Sequence, residues 1–121
     1  MNIFFLMKGY AVGGIEVVTA TLASCFARHG HKVVIATFEA PEALTVARTD
    51  DSVKIYTLGD YKCTNQNIVA LRNILIEHQI QVVINQWGLP LVSCRVLNKA
   101  KKGLQVPPPQ GNYLVYHELR H

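Results

Sequence analysis

Short apolar runs alternate with amphipathic segments along the chain. The apolar runs cover residues 3–7, 32–38, 53–58, 80–85 and 112–117, and their length and β-branched content predict five strands. Between them, apolar residues recur at helical spacing, which predicts helices over residues 15–30, 65–79 and 89–103. We expect residues 40–44, with Pro41 early in the segment, to be a surface loop that holds a short helical turn.

Each predicted helix has one apolar face and a recognisable end. Thr64 or Asn65 can cap the second helix, and Gly30 and Gly103 suit the C-terminal ends of the first and third. The residues expected to face the core are Ile15, Val18, Leu22 and Phe26 in the first helix, Ile68, Leu71 and Leu75 in the second, and Leu91, Val92, Val96 and Leu97 in the third. Continuous apolar strands and one-sided helices are typical of a sheet covered on both faces.

The alternation of strands and helices predicts an α/β fold. Strands joined through helices run parallel with right-handed crossovers, and the helices cover both faces of the sheet. We therefore expect a Rossmann-like three-layer sandwich with a parallel five-stranded sheet in the order 3-2-1-4-5. In a sheet of this kind, ligands bind at the carboxyl ends of the strands.

The composition is that of one folded domain spanning residues 1–121. Of the residues, 50% are hydrophobic and 17% are charged, and no segment is biased enough to stay unfolded. No apolar run approaches the roughly 20 residues that cross a bilayer, and the three widely spaced cysteines fit a reducing cytoplasm better than a disulfide framework. The spacing of Cys and His predicts no metal site, and the net charge of +4 does not select a partner.

Two glycines stand between the first strand and the first helix, where a ligand site is expected. Gly13 and Gly14 can let a phosphate approach the backbone, and the N–H groups of a helix N-terminus attract an anion. The alternative is a tight turn that binds nothing. The segment lacks both the G-x-G-x-x-G spacing and the Lys-Ser/Thr of a P-loop, so a phosphate-hydrolysing site is not predicted. Glu39, just after the second strand, leaves open a nicotinamide cofactor whose ribose it would bind.

Three segments of the chain form a specific combination. They are the strand at residues 2–6, the turn Gly13-Gly14-Ile15-Glu16, and the segment Ala27-Arg28-His29-Gly30-His31-Lys32-Val33, and a later strand ends in His117-Glu118. Together they resemble the N-terminal domain of family 4 (group 1) glycosyltransferases, over almost the whole chain. The resemblance implies a GT-B fold, in which two Rossmann-like domains face each other across a cleft.

The resemblance implies roles for particular residues. Gly13 and Gly14 would approach the diphosphate of a nucleotide-sugar donor, and His117 would be the catalytic residue, facing the sugar or the acceptor. The residues that would bind the acceptor or the sugar are Glu16, Trp87 and Glu118. For Trp87 the alternative is packing at a helix entrance, and for His117 it is a structural place near the sheet edge. The nucleotide sugar would be a substrate, and neither a cofactor nor a nucleic acid is expected.

The sequence departs from the pattern of that family in two places. The fourth strand ends in Asn85-Gln86-Trp87-Gly88, where many relatives have a histidine near an aromatic residue. No two glutamates are separated by seven residues, a pair that belongs to the second domain in that family. We therefore expect this chain to be the acceptor-side N-terminal domain, with the C-terminal donor-binding domain absent from the chain, and to be inactive alone.

Three basic residues, Arg95, Lys99 and Lys102, recur at helical spacing in the last predicted helix. Cations near a helix C-terminus are favoured by the helix dipole, so a solvated face is the simpler explanation. A weak contact with an anionic membrane stays open, because a basic helix face can rest on such a surface. The protein would then be cytoplasmic and peripheral to the inner face of the membrane.

The leading hypothesis is half of an enzyme of the hexosyltransferase type. It would transfer a sugar from a nucleotide-sugar donor to a carbohydrate or lipid-linked acceptor. The alternative is a stand-alone nucleotide or NAD-binding module, with phosphate at Gly13-Gly14 and ribose near Glu39. A third class is a non-catalytic interaction domain, in which the first helix or an open sheet edge meets a partner chain.

Overall fold

Strands and helices alternate along the part of the chain that the structure describes. This structure is a computed structural model, and it describes the backbone of residues 1–9, 14–85, 91–102 and 115–118, with all side chains except those of residues 14, 15, 85, 91 and 115–118. The strands are β1 (Asn2–Met7), β2 (Lys32–Thr37), β3 (Lys54–Thr57), β4 (Val82–Asn85) and β5 (Val115–Glu118). The helices are α1 (Gly14–Arg28), α2 (Ala43–Ala47), α3 (Asn65–Glu77) and α4 (Leu91–Lys101).

The strands form one parallel sheet with β1 at its centre. Their order is β3-β2-β1-β4-β5. Phe5 of β1 lies opposite Ile35 of β2 and Ile84 of β4, and Ile84 in turn lies opposite His117 of β5. Each connection between consecutive strands contains a helix, as parallel pairing requires. The carboxyl ends of the strands therefore meet at one edge of the sheet.

The core lies on both faces of the sheet, because the side chains of β1 alternate between them. On one face Phe4 and Leu6 pack with two helices through the buried residues Leu71, Ile74 and Leu75 of α3 and Val96, Leu97 and Ala100 of α4. On the other face the side chains of β1 pack with α1, and the residues involved are Ile3, Phe5, Met7, Ala20 and Ala23. The sheet is therefore the middle layer between α1 on one side and α3 and α4 on the other.

The predicted α/β class, the parallel sheet and the strand order 3-2-1-4 are confirmed. Of the predicted fifth strand, residues 115–117 lie in β5, which pairs with β4, and residues 112–114 lie outside the described part of the chain. β4 begins at Val82 rather than at residue 80. The reason is that Ile80 donates its N–H to the carbonyl of Leu75 at 3.1 Å and so belongs to the end of α3.

The short helix after β2 lies later in the chain than predicted. α2 covers Ala43–Ala47, with Glu42 as its N-cap, rather than residues 40–44. Thr45 and Thr49 are both buried, and Thr49 Oγ1 donates to the Thr45 carbonyl at 2.9 Å. The bond between these two buried threonines thus ties Thr49, beyond the end of α2, to the last turn of the helix.

The buried face of α1 differs from the predicted one at Val18, which is 42% exposed. The buried positions of this helix are instead occupied by small residues, namely Thr19, Ala20, Ala23 and Ser24. Small side chains allow a helix to lie close to a sheet. Leu22 and Phe26 pack against the core as partly buried residues, in agreement with the prediction.

The predicted apolar faces of α3 and α4 are confirmed where their side chains are described. Leu71 and Leu75 are buried with Ile68 packed beside them, and Val96 and Leu97 are buried with Val92 packed beside them. Of the two predicted caps, Thr64 is the one used, and its Oγ1 accepts the N–H of Asn67 at 3.2 Å.

The core face of α3 is testable with two substitutions on the same helix. Leu71→Ala leaves a cavity beneath a fully buried side chain, so we expect it to lower the free energy of unfolding by about 2–5 kcal/mol. Val69→Ala removes a side chain that is 55% exposed and should change that free energy by less than about 0.5 kcal/mol. Urea denaturation measures both. Equal effects of the two variants would contradict the assigned face.

Candidate functional site

The carboxyl ends of β1 and β2 are tied together at the edge of the sheet. The carbonyl of Lys8, directly after β1, accepts the N–H of Phe38 at 3.1 Å and the N–H of Glu39 at 2.9 Å. The buried Thr37 Oγ1 donates to the carbonyl of Glu39 at 2.6 Å. These bonds hold Lys8 and Glu39 side by side at the edge where parallel α/β sheets bind their ligands.

Gly9 makes room for the side chain of Glu39. A Cβ built on Gly9 would lie 3.0 Å from Glu39 Oε1, a very close contact. The Glu39 carboxylate therefore lies against the backbone of Gly9, and a residue with a side chain at position 9 would occupy the same space. Glu39 itself is exposed, so its carboxylate is accessible from solvent.

The loop between β3 and α3 places an aromatic ring at the same place. Tyr61 packs edge-on against Phe38, with ring centroids 5.0 Å apart. Lys8 Nζ lies 5.3 Å from the centroid of the Tyr61 ring, where the ring attracts a cation. Lys8, Gly9, Glu39 and Tyr61 together are called the Lys8–Glu39 corner below.

Asn67 fixes the loop that carries Tyr61. Its buried side chain donates from Nδ2 to the carbonyl of Asp60 at 2.7 Å and to that of Lys62 at 2.8 Å. Gly59 approaches the same side chain, since a Cβ there would lie 3.1 Å from Asn67 Oδ1. Because a buried amide bonds the carbonyls on both sides of Tyr61, the ring is held in place before any ligand arrives.

Lys8 and Tyr61 were not among the predicted site residues. Lys8 directly follows the first strand, and the rule that ligands bind at the carboxyl ends of strands could have marked it. Tyr61 carries no such signal, because its position depends on bonds to Asn67 that the sequence does not reveal.

The glycine turn lies at the N-terminus of α1. Gly14 is the first residue of that helix, and its N–H is among the four that an α-helix cannot bond internally. Gly13 lies outside the described residues. Glu16 is in the first turn of α1, and its side chain is half-buried. An acid at this position interacts favourably with the helix dipole.

The predicted residues at the other side of the edge are described in part. His117 and Glu118 are the last two residues of β5, opposite Ile84 and Asn85 of β4. Both therefore stand at the carboxyl edge, in the strand next to β4, and the structure describes their backbone alone. Trp87 lies outside the described residues.

A separate groove of about 480 Å³ lies between β3 and α3. Tyr56 and Glu77 line it, and the Tyr56 hydroxyl bonds Glu77 Oε2 at 3.2 Å and His78 Nε2 at 2.7 Å. Burial, together with the hydrogen bond and charge of Glu77, raises the pKa of Tyr56. None of the predicted site residues lines this groove.

Asp50, a second residue whose pKa is shifted, lies at the opposite, amino edge of the sheet. Hydrogen bonds from Ser52 lower the pKa of Asp50, and the guanidinium of Arg28, whose Nε is 3.6 Å from Asp50 Oδ1, adds to the effect. These contacts join the end of α1 to the segment before β3. They are structural and lie away from the Lys8–Glu39 corner.

Three basic residues in α4 and directly after it lie on the surface. Arg95 and Lys99 of α4, and Lys102 directly after the helix, are exposed, as the sequence predicted. Arg72 of α3 donates from Nη1 to the carbonyl of Ala100 at 3.1 Å and to that of Lys102 at 2.8 Å, which satisfies the C-terminal end of α4. No helix among the described residues is long and apolar enough to cross a bilayer.

The described residues contain no group of three or more His, Cys, Asp or Glu side chains that could hold a metal ion. Among the described residues, Cys25, Cys63 and Cys94 are not joined in disulfides.

The parallel sheet with helices on both faces defines a Rossmann-like α/β domain. A family model for Glycosyltransferase Family 4 matches residues 12–107. The chain belongs to this family and is a glycosyltransferase domain, which acts on a sugar donor and an acceptor. The resemblance inferred from the sequence is thereby confirmed.

The family match includes the turn Gly13-Gly14, Glu16 and Trp87, and it ends before His117 and Glu118. A comparison with curated proteins finds no match. The family match therefore covers the glycine turn but not the end of β5.

Two glycine substitutions test the packing of the Lys8–Glu39 corner. Gly9→Ala meets the free end of an exposed, flexible side chain, so it should change the free energy of unfolding by no more than about 0.5 kcal/mol. Gly59→Ala meets the buried and doubly bonded Asn67, and we expect a loss of about 1–3 kcal/mol. Thermal melting of both variants measures the difference. A larger loss for Gly9→Ala than for Gly59→Ala would contradict the described geometry.

Proposed function

We propose that this domain forms the acceptor side of a glycosyltransferase that uses a nucleotide-sugar donor. The carboxyl edge of the sheet would line one wall of the cleft, and a donor-binding domain with a GT-B arrangement would supply the other. The acceptor would be a carbohydrate or a lipid-linked molecule, and the sugar transferred a hexose. The family match over the glycine turn is the observation that carries this proposal.

The donor diphosphate would meet the glycine turn. Gly14 begins α1, and the unbonded N–H groups and partial positive charge of a helix N-terminus suit a phosphate. Such N–H groups also stabilise the charge that grows on a leaving diphosphate. Since one wall alone leaves the donor mostly in solvent, the isolated domain would bind it weakly and catalyse no transfer.

His117 would act at the reacting sugar. A histidine at the carboxyl end of a strand can bond a hydroxyl or a phosphate oxygen, and it can accept or donate a proton near neutral pH. Glu118 and Trp87 would contact the sugar or the acceptor beside it, and Glu16 would do so from the first turn of α1. The exposed basic residues of α4 leave room for a weak contact with the inner face of a membrane.

A second candidate function is a stand-alone nucleotide or NAD-binding module. One observation favours it, namely that Glu39 lies just after β2 and against the backbone of Gly9, where a dinucleotide fold holds a ribose with an acid. The family match favours the transferase over this candidate.

A titration of the 121-residue chain, followed by ¹H–¹⁵N NMR, separates the two candidates. We expect UDP-glucose or GDP-mannose to shift the amide signals of Gly14 and its neighbours with a dissociation constant on the order of millimolar. Gly14→Asp should weaken this binding about tenfold or more, because it adds a negative charge at the helix N-terminus. Saturable NAD binding without any response to the nucleotide sugars would overturn the proposal.

The role of His117 is testable in an active form of the enzyme, in which this domain is joined to a donor-binding domain. His117→Ala should lower kcat/KM for transfer by about 100-fold, since it removes a group placed for proton transfer or charge stabilisation. His29→Ala is the control, because His29 is exposed beyond the end of α1 at the opposite edge. A loss of less than about threefold for His117→Ala would show that His117 is structural.

A further inference from the structure

The Lys8–Glu39 corner contains two opposite charges that form no ion pair with the residues that the structure describes. The ion pairs among the described residues are Arg28–Asp50 and His78–Glu77, and neither Lys8 nor Glu39 takes part in one. A charged side chain at the surface is ordinarily solvated by water, and it can exchange that water for the polar groups of a ligand. Here the backbone bonds from the Lys8 carbonyl hold the two residues side by side without joining their side chains.

The position of the Lys8 ammonium is set by Tyr61. Nζ lies 5.3 Å from the ring centroid, and the ring is itself packed against buried Phe38. The loop beneath it is bonded on both sides of Tyr61 by Asn67. The ammonium is therefore held by a ring that cannot easily move, and its N–H donors stay available because a ring takes none of them in a conventional hydrogen bond.

The backbone of Glu39 is held at the edge of the sheet, and its exposed side chain reaches the backbone of Gly9. The Glu39 carbonyl accepts from Thr37 Oγ1 at 2.6 Å, and its N–H donates to the Lys8 carbonyl at 2.9 Å. Gly9 leaves the space that Oε1 uses. The carboxylate offers acceptors only, and the ammonium offers donors only.

We propose that the Lys8–Glu39 corner binds adjacent hydroxyl groups of the acceptor, with Glu39 accepting from one hydroxyl and Lys8 donating to the next. A hydroxyl is both donor and acceptor, so two neighbouring hydroxyls on a ring satisfy both charges at once. An anionic ligand would be attracted by Lys8 and repelled by Glu39, so the occupant is a neutral polyol, which a sugar ring supplies. Tyr61 is a positioning residue that acts through Lys8.

This inference rests on the proposed function, because it takes the diol to belong to an acceptor sugar. The same hydroxyl chemistry occurs in the ribose of a nucleotide. The acceptor sugar is the choice here, because the proposed function places this domain on the acceptor side. The two sources are separate arms of the test.

The test is an NMR titration of the 121-residue chain with methyl glucoside, methyl mannoside and methyl galactoside, which present different arrangements of neighbouring hydroxyls. The second arm uses NAD and UMP as sources of ribose, and inorganic phosphate tests for an anion site. We expect at least one glycoside to shift the signals of residues 8, 9, 39 and 61, at ligand concentrations on the order of 100 mM or below. Phosphate should not compete with it.

Variants assign the effect to particular side chains. Glu39→Gln and Lys8→Met should each weaken glycoside binding about tenfold, the usual loss when a hydrogen bond to a charged group is removed. Tyr61→Leu should weaken it similarly, whereas Tyr61→Phe keeps the ring and should restore binding to within about twofold. The controls Glu42→Gln and Lys62→Met remove the same kinds of charge from exposed positions nearby and should leave binding unchanged.

Three results would overturn the inference. The first is no response to any glycoside from a wild-type chain with a well-dispersed spectrum. The second is binding that depends on Glu39 but occurs only with NAD or UMP, which would make the diol a ribose. The third is equal losses for Tyr61→Phe and Tyr61→Leu, which would remove the ring from the site. None of these readouts involves the nucleotide-sugar donor or the transfer reaction. If the glycoside titration fails, the titration of Gly14 with nucleotide sugars therefore still tests the proposed function independently.

Discussion

The burial of β1 on both faces is the constraint on which the rest of the structure depends. Phe4, Phe5 and Leu6 have no exposed surface, and burying side chains of this kind contributes roughly 1.5–3 kcal/mol each. Covering both faces requires helices on both sides, and helices on both sides require connections that cross over between parallel strands. The carboxyl ends of the strands must then meet at one edge, so the location of the site follows from how β1 is packed.

Two kinds of group meet at that edge, and they differ in how they are held. At the start of α1 the backbone itself offers N–H groups, which need no side chain and only the space that a glycine leaves. At the Lys8–Glu39 corner the groups are side chains, and buried polar residues hold the backbone that carries Glu39 and Tyr61. Thr37 bonds the backbone of Glu39, and Asn67 bonds the loop that carries Tyr61. Buried polar side chains with satisfied partners are costly to disturb, so they fix the backbone of their exposed neighbours.

The start of α1 and the Lys8–Glu39 corner differ in charge, as the proposed function of one side of a cleft requires. A helix N-terminus suits the anionic part of a donor, and a corner with one acid and one base suits neutral hydroxyls, which an acceptor presents. Lys8 directly follows β1 and Gly14 begins α1, so under the proposed function a single edge would receive both reactants. Bringing reactants together at fixed positions is itself a large part of catalysis, and it requires that both places be formed before binding.

The sequence by itself determined the class of fold, the parallel order 3-2-1-4 and the family, because these are written in local periodicity and in motifs a few residues long. It also determined that Leu71 and Val96 face the core, and it left Thr64 and Asn65 as alternative caps of α3, of which the structure uses Thr64. Only the tertiary structure decided that Val18 is exposed, that α2 ends at Ala47, and that Lys8, Glu39 and Tyr61 share a corner. These outcomes depend on contacts between residues far apart in the chain, such as the Lys8 carbonyl with Phe38 and Glu39, and no pattern within one segment encodes them.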